Sequence, residues 1–120
     1  MNLEEVRAYC LRKKGTSEDF PFDQDTLVIR VFNKIFAFLP LDQWEIGNPT
    51  ISLKCNPDYA QELRAEYEES IQGAYHLNKR HWNSVNLKQG EISLELLKKL
   101  VDHSYDLVFK SLSKKIRESS

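Results

Sequence analysis

The chain has 120 residues, 41% hydrophobic and 29% charged, which is an ordinary composition for one globular domain over residues 1–120. No apolar run approaches the roughly 20 residues that cross a bilayer, and the N-terminus lacks an apolar signal core, so we expect a cytoplasmic protein outside the membrane. The 17 basic and 18 acidic side chains give a net charge of −1. The protein therefore lacks the positive net charge that is typical of strong non-specific nucleic-acid binders.

The chain opens with a predicted helix and an acidic connection. Asn2 and Glu5 have the spacing of a capping box, and Gly15 can end the helix that they begin. Residues 17–25 (SEDFPFDQD) place two phenylalanines around a proline among acidic side chains. We interpret this stretch as a loop or a short edge strand, and its carboxylates as a solvated turn without the ligand spacing of a cation site.

A β-hairpin follows. Residues 26–32 (TLVIRVF) and 35–39 (IFAFL) are rich in β-branched and aromatic side chains, which predicts two strands joined through Asn33 and Lys34. Side chains alternate between the two faces of a strand. The face turned away from the main core is therefore predicted to carry Val28, Arg30 and Phe32.

The next segment predicts a third strand and a second helix. Residues 50–55 (TISLKC) alternate in polarity, so Lys54 should point to solvent. Asn56 and Pro57 form a helix start, with the amide as cap and the proline in the first turn. The outer face of this second helix is acidic and should repel phosphate.

The last part predicts two short strands and the longest helix. Residues 71–75 and 82–87 can pair as strands, Ser93 caps the helix, and residues 113–120 should fray beyond a final turn. The order is then helix, three strands, helix, two strands, helix. This order predicts a two-layer α+β domain with helices packed on a mainly antiparallel sheet.

No catalytic or metal-binding pattern emerges. Asp102, His103 and Ser104 are the residue types of a hydrolytic triad, but helix neighbours radiate at about 100° intervals and cannot form a relay. We interpret His103 as a half-buried, hydrogen-bonded residue. Cys10 and Cys55 form no CxxC pair, so two reduced thiols, no metal and no cofactor are expected. We therefore do not expect an enzyme.

Residues 73–85 (GAYHLNKRHWNSV) combine aromatic, histidine, amide and basic side chains more densely than any other stretch of the chain. The only charged residues among them are the pair Lys79 and Arg80, while residues 18–25 and 58–69 are acidic or mostly so. Basic side chains bind phosphates, and an aromatic ring can stack on a base. The predicted nucleic-acid-binding residues are Lys54, Asn78, Lys79, Arg80, His81 and Trp82, with Tyr75 as a further stacking surface and Arg30 and Lys34 as extensions of the patch.

A structural interpretation of the same stretch remains open. Trp82 is interpreted first as a core residue, because a strand tryptophan in a small domain normally buries much of its area. Asn78 and Asn83 could fix turn geometry. For Lys79 and Arg80, ligand contact and simple solvation of an exposed bend are equally good interpretations.

Three phrases carry a resemblance to a known family. Residues 52–55 (SLKC), 78–83 (NKRHWN) and 102–108 (DHSYDLV), in this order, are similar to the MmcQ/YjbR family of small bacterial proteins, and the likeness spans residues 3–116. The resemblance implies an α+β fold similar to secretion-chaperone-like and frataxin-like domains, and DNA binding as the function. The alternative is a protein-interaction or secretion-chaperone-like module without nucleic-acid binding. A monomer or weak dimer is expected.

Overall fold

The computed structural model describes residues 2–118, which contain five helices and six strands. None of the helices in this range is long and apolar enough to span a membrane. In chain order the elements are α1 (Leu3–Leu11), β1 (Thr16–Asp19), β2 (Thr26–Val31), β3 (Lys34–Pro40), α2 (Leu41–Glu45), β4 (Thr50–Lys54), α3 (Pro57–Glu66), β5 (Ile71–Gly73), β6 (Trp82–Asn86), α4 (Leu94–Lys110) and α5 (Lys114–Glu118).

The strands form one antiparallel sheet in the order β1-β2-β3-β4-β6-β5. Helices α1, α3 and α4 cover one face, and their apolar side chains share a core with alternate strand residues. The predicted two-layer α+β architecture is confirmed. Two short elements add to it: β1 lies in the stretch interpreted as a loop or edge strand, and α2 lies in the loop before β4. Fully buried members of the core include Val6, Cys10, Ile29, Phe36, Ile51, Val85 and Val101.

The predicted helix starts are confirmed by hydrogen bonds at each cap. Asn2 and Glu5 form the reciprocal capping box of α1. The Asn56 side chain accepts from two backbone N–H groups at the start of α3, with a proline in the first turn. Ser93 Oγ accepts from Leu96 N at 3.0 Å at the start of α4. Local polar residues therefore set the first turn of all three packed helices.

The hairpin connection differs from its prediction by one residue. Phe32 and Asn33 have positive φ values of 44° and 73°, so they form the turn, and β3 begins at Lys34. Phe32 therefore does not lie on the face away from the core as predicted. Its ring packs at 6.3 Å from that of Phe109 on α4 and covers Gly15, where a Cβ atom would lie 2.4 Å from the ring.

An extra residue in β3 changes which side chains face the helices. Ile29 pairs with Ala37 and Arg30 pairs with Ile35, so Phe36 is inserted between consecutive pairs. This bulge lets Phe36 and Ala37 both enter the core although they are neighbours. Phe38 is consequently left on the opposite face of the sheet.

The tail contains the predicted final turn, which is the short helix α5 over residues 114–118. The fraying predicted beyond this turn falls on Ser119 and Ser120, which lie outside the described residues.

The phrase DHSY in α4 joins distant parts of the fold. The Tyr9 hydroxyl donates to Asp102 Oδ1 at 2.7 Å, the Asn56 N–H donates to His103 Nε2 at 3.1 Å, and the Tyr105 hydroxyl donates to the Lys14 carbonyl at 2.6 Å. The ring of His103 also meets that of Tyr59 edge to face. These contacts agree with the interpretation of His103 as a half-buried, hydrogen-bonded residue. The side chain of the neighbouring Asp102 is hydrogen-bonded to Tyr9.

His103 should make the stability of the fold depend on pH. Burial lowers the pKa of His103 below the usual 6.5, partly opposed by Asp106. The unfolded chain then binds the proton more readily, so stability is complete above about pH 6.5 and falls as the pH drops toward the lower folded pKa. Urea denaturation gives the free energy of unfolding at about pH 7.5 and at about pH 5.5. We expect the decrease between these two pH values to be smaller in His103→Gln than in the wild type. Equal losses in both proteins would contradict the assignment.

Candidate nucleic-acid interface

The sheet face opposite the helices, here called the open face, carries a polar and aromatic surface. Its central residues lie side by side on neighbouring strands: Phe38 pairs with Ser52, and Ser52 pairs with Ser84. At one end of the same face Lys54 pairs with Trp82. The predicted outward orientation of Lys54 follows from its alternation with the buried Leu53 and Cys55, which face the core. The two serines leave the centre of the face shallow.

An aromatic row crosses the open face. The ring of Trp82 on β6 lies 5.2 Å from that of Phe38 on β3, edge to face, and therefore reaches across β4. Phe38 in turn stacks with Phe22 at 6.3 Å and 19°. Trp82 is half-buried in this row and does not belong to the core beneath the helices, so its interpretation as a core residue is wrong.

The connection between β5 and β6, residues 74–81, is here called the recognition turn, and backbone hydrogen bonds fix its shape. The Asn78 carbonyl accepts from His81 N at 3.0 Å and from Trp82 N at 2.9 Å, while Asn78 Oδ1 accepts from Arg80 N at 3.0 Å. The His81 carbonyl accepts from Cys55 N at 2.8 Å and ties the turn to the end of β4. Asn78 therefore fixes turn geometry, and its side-chain oxygen is already engaged.

Arg64 of α3 supports the recognition turn from below. Its Nε donates to Asn83 Oδ1 at 2.7 Å, and its Nη2 donates to the carbonyls of Lys79 and, at 3.4 Å, Trp82. Gly73 leaves room for this arrangement, since a Cβ there would lie 3.2 Å from Lys79 Cβ and 3.4 Å from Arg64 Cζ. Arg64 was not predicted from the sequence, where its only signal is that it is the one basic residue of α3.

The predicted basic residues differ in what they already contact. Within residues 2–118, no ion pair involves Lys54, Lys79 or Arg80, and Lys79 Nζ lies 6.0 Å from the centre of the exposed Tyr75 ring. Arg80 and Lys79 are exposed, whereas Lys54 and His81 are half-buried. These cations can meet an anion from solvent without first breaking an ion pair.

Arg30 does not extend this basic patch as predicted. Its Nε donates to Asp19 Oδ1 at 2.9 Å, and its Nη1 donates to the Asn33 carbonyl at 3.0 Å. The carboxylate of Asp19 neutralises the guanidinium, and β2 lies three positions from β6 in the sheet. Lys34 is exposed at the start of β3. The patch is therefore limited to the side of the sheet formed by β4, β6 and the recognition turn.

Metal-ligating side chains do not gather in the described part of the chain. Residues 2–118 contain no group of three histidine, cysteine or acidic side chains placed to hold a metal ion. Cys10 and Cys55 are free and buried, and burial raises the pKa of the Cys10 thiol to about 12 and that of Cys55 to about 11. Both thiols are therefore protonated at neutral pH and poor nucleophiles.

An antiparallel sheet with helices on one face and a basic turn beside the other defines a small α+β domain. The model of the YjbR family matches residues 11–107, and the chain belongs to this family. YjbR of Escherichia coli K12 is 33% identical over 106 residues, covering 88% of this chain and 85% of that protein. YbdF of Escherichia coli O157:H7 is 36% identical over 96 residues, covering 80% and 75%. The family resemblance of the three sequence phrases is thus confirmed.

Solved structures share the same fold. The crystal structure of protein DR2400 from Deinococcus radiodurans superposes with a TM-score of 0.86 at 34% identity, covering 98% of this chain and 86% of the other. The crystal structure of a protein from Pseudomonas syringae gives a TM-score of 0.70 at 25% identity, covering 90% and 99%. The sheet and its helical layer are therefore common to proteins from distant bacteria.

Proposed function

We propose that this protein is a cytoplasmic, non-enzymatic nucleic-acid-binding domain whose interface is the open face together with the recognition turn. The observation that carries the proposal is the placement of basic residues without ion pairs, among the described residues, beside an aromatic row on the sheet face opposite α1, α3 and α4. Phosphates would contact Lys79 and Arg80, and bases would stack on the rings. Sheets that bind single strands combine the same two components.

The charge distribution supports one orientation of the nucleic acid. The outer side of α3 carries four glutamates in or just beyond the helix, which disfavour phosphate on that side of β5. The charged side chains of the recognition turn, Lys79 and Arg80, are both basic. A strand would therefore approach the open face and not the helical layer, in spite of the net charge of −1. The acidic residues are Glu62, Glu66, Glu68 and Glu69.

Replacing both Lys79 and Arg80 by alanine should weaken binding about tenfold at low salt and reduce the slope of log affinity against log salt by about 1.4, because each phosphate contact to a single strand contributes about 0.7. Fluorescence anisotropy of labelled single-stranded and duplex DNA and RNA measures both quantities. The double substitution Lys14→Ala with Lys115→Ala removes the same charge from two exposed positions, one in the turn after α1 and one in α5. Equal weakening in the two double variants would refute a localised interface.

A protein-interaction or secretion-chaperone-like role is the second candidate. The observation that favours it is the exposure of Phe22 (67%) and Tyr75 (78%), because exposed aromatic side chains also suit a peptide partner. Capture of one stoichiometric protein partner by the purified domain, together with no binding to any oligonucleotide at low salt, would support this role over the first.

A further inference from the structure

A groove of about 640 Å³ runs along the open face. One wall is formed by Phe22 and Phe38, the other by residues 74–77 of the recognition turn, and the floor by hydroxyl-bearing residues including Ser52 and Ser84. Small-molecule sites span about 300 to 1,000 Å³, mostly apolar with a few polar groups. The groove therefore has the size and the lining for one planar, partly polar group.

Among the described residues, the lining of the groove contains two carboxylates and no lysine or arginine side chain. Asp23 and Asp42 line the end at Thr50, and backbone N–H groups of Asp25 and Thr26 lower the pKa of Asp23, which keeps its carboxylate ionised. Lys54 lies four residues further along β4, about 13 Å away at 3.3 Å per residue. Lys54 lies outside the groove lining, and a ligand that continues from the groove along β4 reaches this cation. The lysine of the recognition turn lies beside the same groove.

The walls of the groove offer ring faces that the fold leaves exposed. Phe22 is 67% exposed and Tyr75 is 78% exposed, although each lines the groove. Neither ring belongs to the hydrophobic core. Lys79 Nζ lies 6.0 Å from the Tyr75 ring, so a cation stands directly beside one of the two walls. The rings are thus accessible for stacking with a planar ligand.

We propose that the groove takes one unstacked base of a single-stranded nucleic acid, with the adjoining phosphates held outside the groove by Lys79, which stands beside the Tyr75 ring, and by Lys54 further along β4. This inference rests on the proposed function and assigns its ligand class. The base is neutral and can lie beside Asp23 and Asp42, where a phosphate would be repelled. The base thereby meets the aromatic lining of the groove, and the phosphates meet the lysines that lie outside it. Duplex DNA keeps its bases stacked and cannot fill the groove.

The test compares oligothymidylate with an abasic oligomer of the same phosphate count, using the full chain and Phe22→Ala. We expect the wild type to bind oligothymidylate about tenfold more tightly than the abasic oligomer, because one base stacked on an aromatic ring contributes that much. Phe22→Ala should remove most of this difference and leave abasic binding unchanged. Phe20→Ala is the matched control, since Phe20 is 47% exposed and does not line the groove.

The outcomes separate this inference from the proposed function. Equal affinity of the wild type for both oligomers would overturn the groove as a base site while nucleic-acid binding stands, and a groove that serves a peptide gives this result. Absence of binding to either oligomer at low salt would overturn the proposed function and the inference with it. Thermal unfolding of Phe22→Ala within the range of Phe20→Ala excludes misfolding as the cause of any loss.

Discussion

Replacing Arg64 by alanine is expected to lower the free energy of unfolding by about 3 kcal/mol and to loosen the recognition turn. Asn83 is only 2% exposed, and its Oδ1 accepts from Arg64 Nε. Alanine leaves this buried oxygen and the Lys79 carbonyl without the guanidinium, and hydrogen bonds to charged donors are worth about 1.5 to 3 kcal/mol each. The turn then loses its link to α3, so nucleic-acid affinity should fall as well.

Urea denaturation with Gln61→Ala as control measures the Arg64 effect. Gln61 is exposed on the same helix, and its replacement should change stability by less than about 0.5 kcal/mol. Arg64→Lys keeps the charge but lacks the planar fork, so it should recover less than half of the loss. If Arg64→Ala unfolds at the same urea concentration as Gln61→Ala, the guanidinium does not support the turn.

Replacing Ser104 by alanine is expected to cost about 3 kcal/mol. Ser104 is fully buried between α4 and the sheet. Its hydroxyl donates to the Phe36 carbonyl at 2.6 Å and accepts from Lys54 N at 2.9 Å. Alanine leaves both backbone groups unpaired in the interior, and each unsatisfied group costs about 1 to 3 kcal/mol. The same bond holds the end of β4, which presents Lys54 on the open face.

Asp106→Ala on the exposed side of α4 is the control for Ser104→Ala. We expect the control to stay within about 0.5 kcal/mol of the wild type in urea denaturation. Hydrogen exchange should locate the loss of Ser104→Ala at Lys54 N, whose protection should fall more than that of the β2 amides. Unchanged protection at Lys54 would show that the hydroxyl is not its partner in solution.

Local signals allowed much of the fold to be predicted. Asn2, Asn56 and Ser93 each accept the hydrogen bonds that their positions before an amphipathic run predict, and such caps depend on neighbouring residues only. Alternation placed Lys54 on the outward face for the same reason, whereas Trp82 was first interpreted as a core residue and lies outside the core. The hairpin turn was misplaced because Phe32 adopts a positive φ against its steric preference, held by contacts with Phe109.

The candidate site depended on contacts that pattern alone does not encode. The bulge at Phe36 reverses the alternation of β3, so the outward position of Phe38 follows from strand pairing and not from the local sequence. Trp82 packs on Phe38 across β4, which requires the strand order. Arg64 reaches a turn that lies more than a dozen residues away in the sequence. Long-range pairing thus decides which side chains form the interface.

A ¹⁵N-¹H NMR titration of the protein with a single-stranded oligonucleotide at low salt tests the open face as a nucleic-acid interface most directly. We expect the largest shifts on the open face and the recognition turn, including the indole N–H of Trp82 and the backbone amides of Ser52, Ser84 and Lys79. Amides of α1 and α4 should change little. Shifts concentrated on the helical layer, or no shifts at saturating oligonucleotide, would contradict the assignment of the open face as a nucleic-acid interface.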